Sequence, residues 1–436
     1  MIERNVYLNK LIESKENGFP KVITGIRRCG KSYLLEEIYK KYLIDSGVNE
    51  KNIIIIDLEE EENYEYYDPI NLSNHVLDLC DKDKMNYVFI DEIQNVVSII
   101  NPVFTDGKHI KAKPKDENAI TFAKIVLSLS KKKNIDLYVT GSNSKMLSTD
   151  VQTEFRDRAT NINVNPLSFE EYMKYTNLEE YRAINEYLTY GGMPLAVLKE
   201  REEDKKDYLI NLFETTYFKD IIERYKFRKA EALDELCTLL STCVGTLINS
   251  EKLSNTYKSK TKNKIDSETV TSYVNAFKDA NIIREANRYD VKGKEIISSL
   301  KKYYFIDTGL RNARLNFAFL DEGQMLENVV YNELIYNGYS VSVGTYDKVE
   351  KNKNNESIRR TYQIDFLATK GTRMYYIQVA SDINNEETRN RELKPYISLN
   401  DQIQKIIVIN KPINETRDIH GFIVIGIVDF LLRFIK

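Results

Sequence analysis

Hydrophobic and polar residues in the first part of the chain follow a pattern that predicts strands separated by helices. Short apolar runs predict strands at 21–24, 52–58, 87–90 and 137–140. Helical spacing of apolar residues predicts helices at 32–42, 72–80 and 119–130. Because strands that alternate with helices are typical of a parallel sheet covered on both faces, we expect an α/β fold here. A polar segment at 101–118 with two prolines and a glycine predicts a surface insertion.

The pattern becomes helical after Asn165-Pro166. Helices are expected at 168–175, 180–190, 204–224, 230–248, 251–257 and 267–280, followed by two short strands at 282–289 and 298–305. The last three helices with the strand pair follow the order expected of a winged helix. A helix at 326–336 then precedes strands at 340–344, 361–368, 374–379 and 405–408, which indicates a second α/β unit.

The composition is that of a globular protein with several domains. The 436 residues exceed one ordinary domain, and 42% are hydrophobic and 30% charged. Since 63 basic and 66 acidic residues nearly balance, contact with nucleic acid would need a local basic patch. The four cysteines and three histidines lack metal-ligand spacing, which argues against a zinc module or disulfide scaffold and predicts a reducing compartment.

No signal peptide or membrane-spanning helix is expected. The N-terminal residues lack a basic region followed by an apolar stretch. The longest apolar runs, 53–56 and 422–428, fall far short of the roughly 20 residues that cross a bilayer. We therefore expect a cytoplasmic protein with no membrane partner.

The segment Gly25-Ile-Arg-Arg-Cys-Gly-Lys-Ser32 matches the phosphate-binding pattern GxxxxGK[ST] in full. It follows an apolar strand and opens a predicted helix, where backbone N–H groups and the helix dipole can cradle a phosphate. A glycine turn with a surface lysine is the alternative interpretation. Lys31 is expected to bridge the β- and γ-phosphates, and Ser32 to offer its hydroxyl to Mg²⁺. The residues expected to contact the nucleotide are Gly25, Ile26, Arg27, Arg28, Cys29, Gly30, Lys31, Ser32 and Tyr33.

A second element should supply a carboxylate on the magnesium side. The apolar strand 87–90 ends in Asp91 and Glu92, as a Walker B strand does. Asp91 is expected at Mg²⁺, and Glu92 as the general base that polarises the attacking water. The alternative is that the two acids only mark the point where a buried strand leaves the core. The position of the pair, one strand after the glycine loop, favours hydrolysis of a nucleoside triphosphate.

Two further positions are candidates for catalysis. The strand that ends at Thr140 leads into Ser142 and Asn143, either of which could reach between Glu92 and the γ-phosphate, and Asn143 is the preferred candidate. An ordinary strand-to-helix turn is the alternative there. Arg156 and Arg158 follow on a polar segment, and either could stabilise transition-state charge in a neighbouring subunit, although surface arginines need no such role.

The chain resembles the AAA+ superfamily, and more closely the prokaryotic ATPases that carry a conserved C-terminal domain of unknown function. The resemblance is carried by Arg4, Tyr7, Leu8 and by the stretches 25–32, 89–94, 139–144, 166–169, 190–194, 219–221 and 304–310. It implies ATP as the nucleotide and places Lys31, Ser32, Asp91, Glu92, Asn143 and Arg158 in the roles given above. It also implies a P-loop ATPase core at 1–165, a helical lid at 166–225, a winged helix at 226–315 and a restriction-nuclease-like α/β domain at 316–436.

Nucleases of that type use a helix acid, a strand aspartate and a Glu-x-Lys motif to bind Mg²⁺ and activate water. Glu327 and Asp365 match the first two positions, but Gln378 and Ala380 stand where the second acid and the lysine are needed. A neutral amide is a poor Mg²⁺ ligand, and alanine cannot activate water. We expect the nuclease-like fold without cleavage, with Glu327 and Asp365 in structural hydrogen bonds.

A local basic patch lies beside the predicted recognition helix 267–280. It consists of Lys252, Lys258, Lys260, Lys262, Lys264, Lys278, Arg284, Arg288, Lys292 and Lys294. Such a patch on a winged helix predicts binding of duplex DNA, and a solvated loop on a protein-binding winged helix is the alternative.

Two functions follow from these observations. One is an ATP-hydrolysing protein whose nucleotide state is coupled to DNA or a protein partner, with Arg158 acting in a homo-oligomer. The alternative is a nucleotide-bound interaction scaffold with negligible hydrolysis. The acid at Glu92 favours the first.

Overall fold

The computed structural model describes residues 2–113, 116–142, 154–155, 157–227, 229–261, 264–351, 356–381, 393–399 and 401–436. The chain divides into two compact units, Met1–Asn165 and Pro166–Lys436. Within the described ranges, no helix has both the length and the apolar character needed to cross a bilayer.

The first unit is built on a five-stranded parallel sheet, which confirms the expected α/β fold. Its strands are β1 Lys21–Gly25, β2 Ile53–Asp57, β3 Asn86–Asp91, β4 Ile99–Ile100, β5 Ala119–Ile120, β6 Ile135–Ser142 and β7 Thr160–Val164. Five of them form the sheet in the order β2-β3-β6-β1-β7, and β4 pairs with β5 alone. Because β1 lies between β6 and β7, the loop that follows β1 leaves the interior of the sheet at its carboxyl edge, where ligands bind in open α/β sheets.

Helices pack against this sheet through their apolar residues. The helical elements are Asn5–Ser14, Lys31–Tyr33, Leu34–Tyr39 (π-helical), Lys40–Asp45, Pro69–Leu79 and Phe122–Leu129, with 3-10 turns at Glu50–Asn52, Glu61–Tyr67, Ile93–Asn95 and Pro102–Phe104. The last α-helix begins at Phe122 rather than at 119, because β5 pairs with β4 and the Thr121 hydroxyl caps the Lys124 N–H. Buried residues of β2, β3 and β6 pack against 69–79 and 122–129 to form the core.

The second unit contains one eight-stranded sheet in the order β14-β15-β13-β12-β11-β10-β8-β9. Its strands are β8 Ile283–Asp290, β9 Glu295–Phe305, β10 Ser340–Lys351, β11 Ser357–Lys370, β12 Arg373–Ala380, β13 Gln404–Ile409, β14 Thr416–Arg417 and β15 Ile423–Gly426. The antiparallel pair β8–β9 joins β10 in parallel, where Arg288–Asp290 pair with Val343–Thr345. Strands before and after residues 315 and 316 therefore belong to one sheet, although a domain boundary was predicted between these two residues.

The helices of the second unit lie mainly before this sheet in the chain. They are Phe169–Thr176, Glu180–Tyr190, Pro194–Val197, Glu202–Asn211, Leu212–Phe218 (π-helical), Lys219–Tyr225, Ala230–Thr242, Ser250–Thr261, Ser267–Asp279, Thr308–Arg314, Glu322–Tyr336, Ile427–Asp429 and Phe430–Phe434 (π-helical). A capping box starts the first one, since Ser168 and Glu171 exchange side-chain and backbone hydrogen bonds. Helices 230–242, 250–261 and 267–279 precede β8 and β9 in the predicted order.

Gly191, after the helix Glu180–Tyr190, and Gly309, in the first turn of the helix Thr308–Arg314, both lie close to Asp307. The buried carboxylate of Asp307 accepts a 2.6 Å hydrogen bond from the Gly192 N–H. A Cβ on Gly191 would lie 2.2 Å from Oδ1 of Asp307, and one on Gly309 would lie 2.1 Å from the Tyr190 carbonyl oxygen. Both positions therefore need glycine because neighbouring atoms occupy the space of a side chain.

Candidate functional site

The loop 25–32 has a backbone that requires glycine at two positions. Gly25 ends β1 opposite Val164 of β7, and a Cβ on Gly25 would lie 2.3 Å from the Val164 carbonyl oxygen. Gly30 has φ 92°, in the left-handed region, and the helical segment starts at the next residue. The Cys29 N–H closes the turn on the Ile26 carbonyl at 3.3 Å. The predicted strand–loop–helix context is present.

A buried arginine from the N-terminal helix region supports this loop. Nη1 of Arg4 donates to the Cys29 carbonyl at 3.2 Å, and its Nη2 donates to the Asn165 carbonyl at 2.6 Å. The Cys29 thiol is also buried, donates to the Val164 carbonyl at 3.3 Å and has a raised pKa because burial disfavours the thiolate. Arg4 thus links the loop to the end of β7. The resemblance included Arg4, but no local pattern indicated this contact.

Lys31 and Ser32 open the helical segment that follows the loop. The Lys31 side chain is buried and folds back, with Nζ 3.4 Å from the Gly25 carbonyl oxygen. The Ser32 hydroxyl donates a 2.7 Å hydrogen bond to Oδ2 of Asp91 at the end of β3. The predicted phosphate-side and magnesium-side residues therefore lie together.

The other loop residues differ in exposure. Ile26 is buried, Tyr33 is half-buried and Arg28 is exposed with φ 61°. Arg27 is half-buried and lies 3.6 Å from Oε1 of Glu59. The structure thus brings the predicted loop residues into one turn, with Arg27 and Arg28 on its outer side.

Thr140 connects the two acids at the end of β3. Because Ile90 pairs with Val139 in neighbouring parallel strands, Asp91 lies beside Thr140. The buried Thr140 hydroxyl donates to Oδ1 of Asp91 and accepts a hydrogen bond from the Glu92 N–H at 3.2 Å. In the sequence, Thr140 is recognisable only as the end of a strand, since a single threonine carries no motif.

Glu92 has an unusual backbone and a fixed carboxylate. Its φ of 51° and ψ of 47° lie in the left-handed region, which is uncommon for a glutamate. The side chain is buried, and Oε2 accepts a hydrogen bond from Nε2 of Gln94. Strained residues concentrate at functional sites, so this geometry agrees with a catalytic role for Glu92.

Negative charge accumulates at this edge of the sheet. Asp57 ends β2 in register with Asp91 of β3. Burial, together with the carboxylates of Asp91 and Asp57, raises the pKa of Glu36 to about 7. Burial and Glu92 also raise the pKa of Glu59, against the effect of Arg27. A hydroxyl and a carboxylate in contact within such an acidic edge fit Mg²⁺, which prefers oxygen ligands and usually shares them with phosphates.

Two residues that were predicted to be catalytic are not among the described residues that lie together with Asp91 and Glu92. Asn143 lies outside the described residues. Arg158 is exposed, and its Nη2 donates to the Glu154 carbonyl at 2.6 Å. Its role toward a neighbouring subunit stays a prediction.

In the second unit, Glu327 and Asp365 both form ion pairs with Lys302, a residue that was not a candidate from sequence. Nζ of Lys302 lies 2.7 Å from Oε1 of Glu327 and 2.9 Å from Oδ1 of Asp365. Gln378 accepts a 3.3 Å hydrogen bond from the Asp365 N–H, and Ala380 is buried. Both acids therefore have the structural contacts that were expected.

The basic patch is only partly exposed. Lys252, Lys258, Lys260 and Lys264 are exposed beside the helix Ser267–Asp279. Lys278 is half-buried and pairs with Glu285 at 2.7 Å. Lys262 lies outside the described residues.

Comparisons with known proteins agree with the site in the first unit. Residues 17–173 match the model of an AAA domain, and residues 181–321 match a domain of unknown function (DUF8612). An uncharacterized protein of Haemophilus influenzae is 31% identical over 99% of both chains. An uncharacterized protein of Methanocaldococcus jannaschii is 29% identical over 91% of this chain and 81% of its own length.

Solved structures give weaker likenesses. The Orc1 protein of Aeropyrum pernix in complex with DNA aligns with 72% of this chain and 92% of its own, at a TM-score of 0.28 and 10% identity. AMPPCP-bound DnaA from Aquifex aeolicus aligns with 63% of this chain and 88% of its own, at a TM-score of 0.27 and 14% identity.

Proposed function

Because the chain belongs to the family of its Haemophilus influenzae relative and carries an AAA domain, we propose that it binds ATP with Mg²⁺ and hydrolyses it. The 2.7 Å hydrogen bond from Ser32 to Asp91 is the observation that carries the proposal. It joins the end of the phosphate-binding loop to the acidic end of β3 at the carboxyl edge of the sheet. A glycine turn with an unrelated lysine would not need that contact.

The proposed roles follow from the positions of the side chains. The backbone of 25–32 and Lys31 bind the phosphates, and Ser32 and Asp91 hold Mg²⁺. When bound, Mg²⁺ neutralises charge on the phosphate oxygens. Glu92 accepts a proton from the attacking water, and Thr140 holds Asp91 and the Glu92 backbone in place. Asn143 as a sensor and Arg158 as a residue acting in a homo-oligomer complete the proposed site.

The second unit is the proposed partner-binding part. Three helices followed by the β8–β9 pair support a winged helix, and Glu327 on a helix beside Asp365 on β11 supports a nuclease-like fold. The exposed lysines Lys252, Lys258, Lys260 and Lys264 give this unit a surface for duplex DNA. Nucleotide state is proposed to change how this unit binds DNA or a protein partner.

Phosphate release, measured together with ATP binding, tests the proposal. Lys31→Ala should lose binding, whereas Glu92→Gln should keep binding and lower the rate by on the order of 100-fold. Equal phosphate release by wild type and Glu92→Gln would reject hydrolysis at this site. Adding duplex DNA at increasing salt tests the coupling, since phosphate contacts give a steep salt dependence.

One observation favours the nucleotide-bound scaffold as a second candidate. Gln94 already donates a hydrogen bond to the Glu92 carboxylate. A carboxylate engaged in this way is less available to accept a proton from water. ATP binding without phosphate release in the wild type would support the scaffold.

A further inference from the structure

A closed ionic cluster lies inside the second unit, away from the nucleotide loop in sequence. Lys302 comes from β9, Glu327 from the helix Glu322–Tyr336 and Asp365 from β11. Nζ of Lys302 lies 2.7 Å from Oε1 of Glu327 and 2.9 Å from Oδ1 of Asp365, and its side chain is 0% exposed. One ammonium therefore lies between two carboxylates in a largely buried site, where the side chains of Asp365 and Glu327 are 7% and 14% exposed.

The remaining bonds of the two carboxylates also point to protein atoms. The Tyr304 hydroxyl donates to Oε1 of Glu327 at 2.6 Å, and the Val379 N–H donates to Oδ2 of Asp365 at 3.1 Å. The chain at Gly245 also passes close to Oε2 of Glu327, because a Cβ on that glycine would lie 2.7 Å from the oxygen. Both carboxylates thus have protein partners in addition to the ammonium of Lys302.

The electrostatics depend on this lysine. Burial disfavours the ammonium, but Asp365 and Glu327 outweigh burial and raise the pKa of Lys302. Burial and the neighbouring Asp365 raise the pKa of Glu327 to about 7. Two carboxylates left together in a buried site without a cation would be costly, because each charge would lose its hydration without compensation.

The residues do not fit a magnesium site of the kind that a nuclease-like fold implies. Gln378 faces the Asp365 N–H at 3.3 Å, and Ala380 offers no ligand. Across the described ranges, no three His, Cys, Asp or Glu side chains are grouped so that they could hold a metal ion. The position between Glu327 and Asp365 is filled by a charged group of the chain itself.

We infer that the Lys302 ammonium replaces the divalent cation between Glu327 and Asp365 and makes this part of the protein independent of metal. The lysine then acts as a permanent counter-ion that joins β9 to the helix 322–336 and to β11. The same pair of carboxylates is a latent cation site, which removal of the lysine charge would expose. This inference does not depend on ATP binding in the first unit.

Mn²⁺ binding to the full chain without nucleotide, followed by electron paramagnetic resonance, tests this inference. Wild type and Glu327→Gln should bind the same number of Mn²⁺ ions, because neither offers an empty pair of carboxylates. Lys302→Met should bind one more ion than wild type. Lys301→Met is the matched control, since Lys301 lies on the same strand but pairs with Glu285 at 2.8 Å and is partly exposed.

Thermal unfolding supplies a second readout. Lys302→Met should lower Tm by on the order of 10 °C in the absence of metal. Mn²⁺ should then raise the Tm of Lys302→Met and leave the difference between wild type and Lys301→Met unchanged. An Mn²⁺ ion that wild type binds and Glu327→Gln loses would overturn the inference, as would a folded Lys302→Met that binds no extra ion. If Lys302→Met fails to fold even with Mn²⁺, the comparison of wild type with Glu327→Gln decides.

Discussion

The Ser32 hydroxyl and the Asp91 carboxylate form a 2.7 Å hydrogen bond although they are 59 residues apart in the chain. Ser32 lies at the start of the helical segment after β1, and Asp91 at the end of β3. Between β1 and β3 in the sheet lies β6, whose Thr140 holds Asp91 from the other side. This contact places a hydroxyl and a carboxylate where one cation can bind both.

Ser32→Ala should weaken nucleotide binding in Mg²⁺ by about tenfold, because it removes one oxygen ligand without disturbing the loop backbone. Binding of a fluorescent ATP analogue, titrated in Mg²⁺ and in EDTA, measures the effect. Ser46→Ala is a suitable control, since the exposed Ser46 at the end of the same helical segment bonds only its own helix at Tyr42. A loss of the same size in EDTA would contradict a magnesium role.

Thr140→Val should lower the rate of ATP hydrolysis by about tenfold and the free energy of unfolding by about 1–3 kcal/mol. The hydroxyl contacts both acids from a buried position, and valine leaves the Glu92 N–H and the Asp91 carboxylate without that partner. Phosphate release and urea unfolding measure the two effects. Thr140→Ser retains the hydroxyl and should keep most of the activity; if it is as slow as Thr140→Val, the hydroxyl is not the cause.

Gly191→Ala should destabilise the second unit more strongly than a comparable glycine substitution at the surface. A Cβ at Gly191 meets Oδ1 of Asp307 at 2.2 Å, whereas one at Gly338 meets nothing within 4 Å. Both glycines have positive φ, 68° and 82°, so Gly338→Ala controls for a positive φ, and the ψ of −163° at Gly191 adds to the loss expected there because that region is open almost only to glycine. Urea unfolding should show a difference of about 2 kcal/mol or more between the variants, from the steric clash. Equal losses would mean that Asp307 moves aside freely.

Glu333 should make the protein less stable as pH rises. It is buried, accepts a 2.6 Å hydrogen bond from the Phe169 N–H, and burial raises its pKa from 4.5 to about 7. The folded state therefore binds a proton more tightly than the unfolded state. The corresponding stabilisation is complete below pH 4.5 and is lost as pH rises through about 7, by on the order of 3 kcal/mol.

Glu333→Gln mimics the protonated side chain and should flatten this part of the pH dependence. Unfolding free energies at pH 5 and pH 8, from urea titrations, give the comparison. The variant should gain stability over wild type at pH 8 and match it at pH 5. A parallel pH dependence in both proteins would assign the effect to other buried acids, such as Asp307, whose pKa burial raises to about 6.

Much of the nucleotide site could be read from local sequence. The loop 25–32 binds phosphate through consecutive backbone groups, so its pattern is contiguous and needs no distant residue. The apolar strand before Asp91 and Glu92 is equally local. Because parallel strands end at one edge, the sequence also predicted that these two motifs would approach each other.

The partners of those motifs could not be read in this way. Thr140 contacts both acids only because β6 pairs with β3 in a particular register. Arg4, which precedes the helix Asn5–Ser14, reaches the Cys29 and Asn165 carbonyls although both are distant in the sequence. A single threonine or arginine looks the same in any strand or helix, so local patterns carry no information about such contacts.

The second unit shows most clearly how local motifs differ from the contacts that the fold creates. From sequence, Glu327 and Asp365 appeared with a missing lysine, since Ala380 stands in the expected position. In the folded chain, Lys302 of β9 supplies an ammonium from another strand, and the same sheet joins β8 to β10. Amino-acid order alone determined which chemical groups are present and which short motifs they form. Only tertiary structure decided which charges meet, because strand pairing and helix packing bring together residues that no local spacing relates.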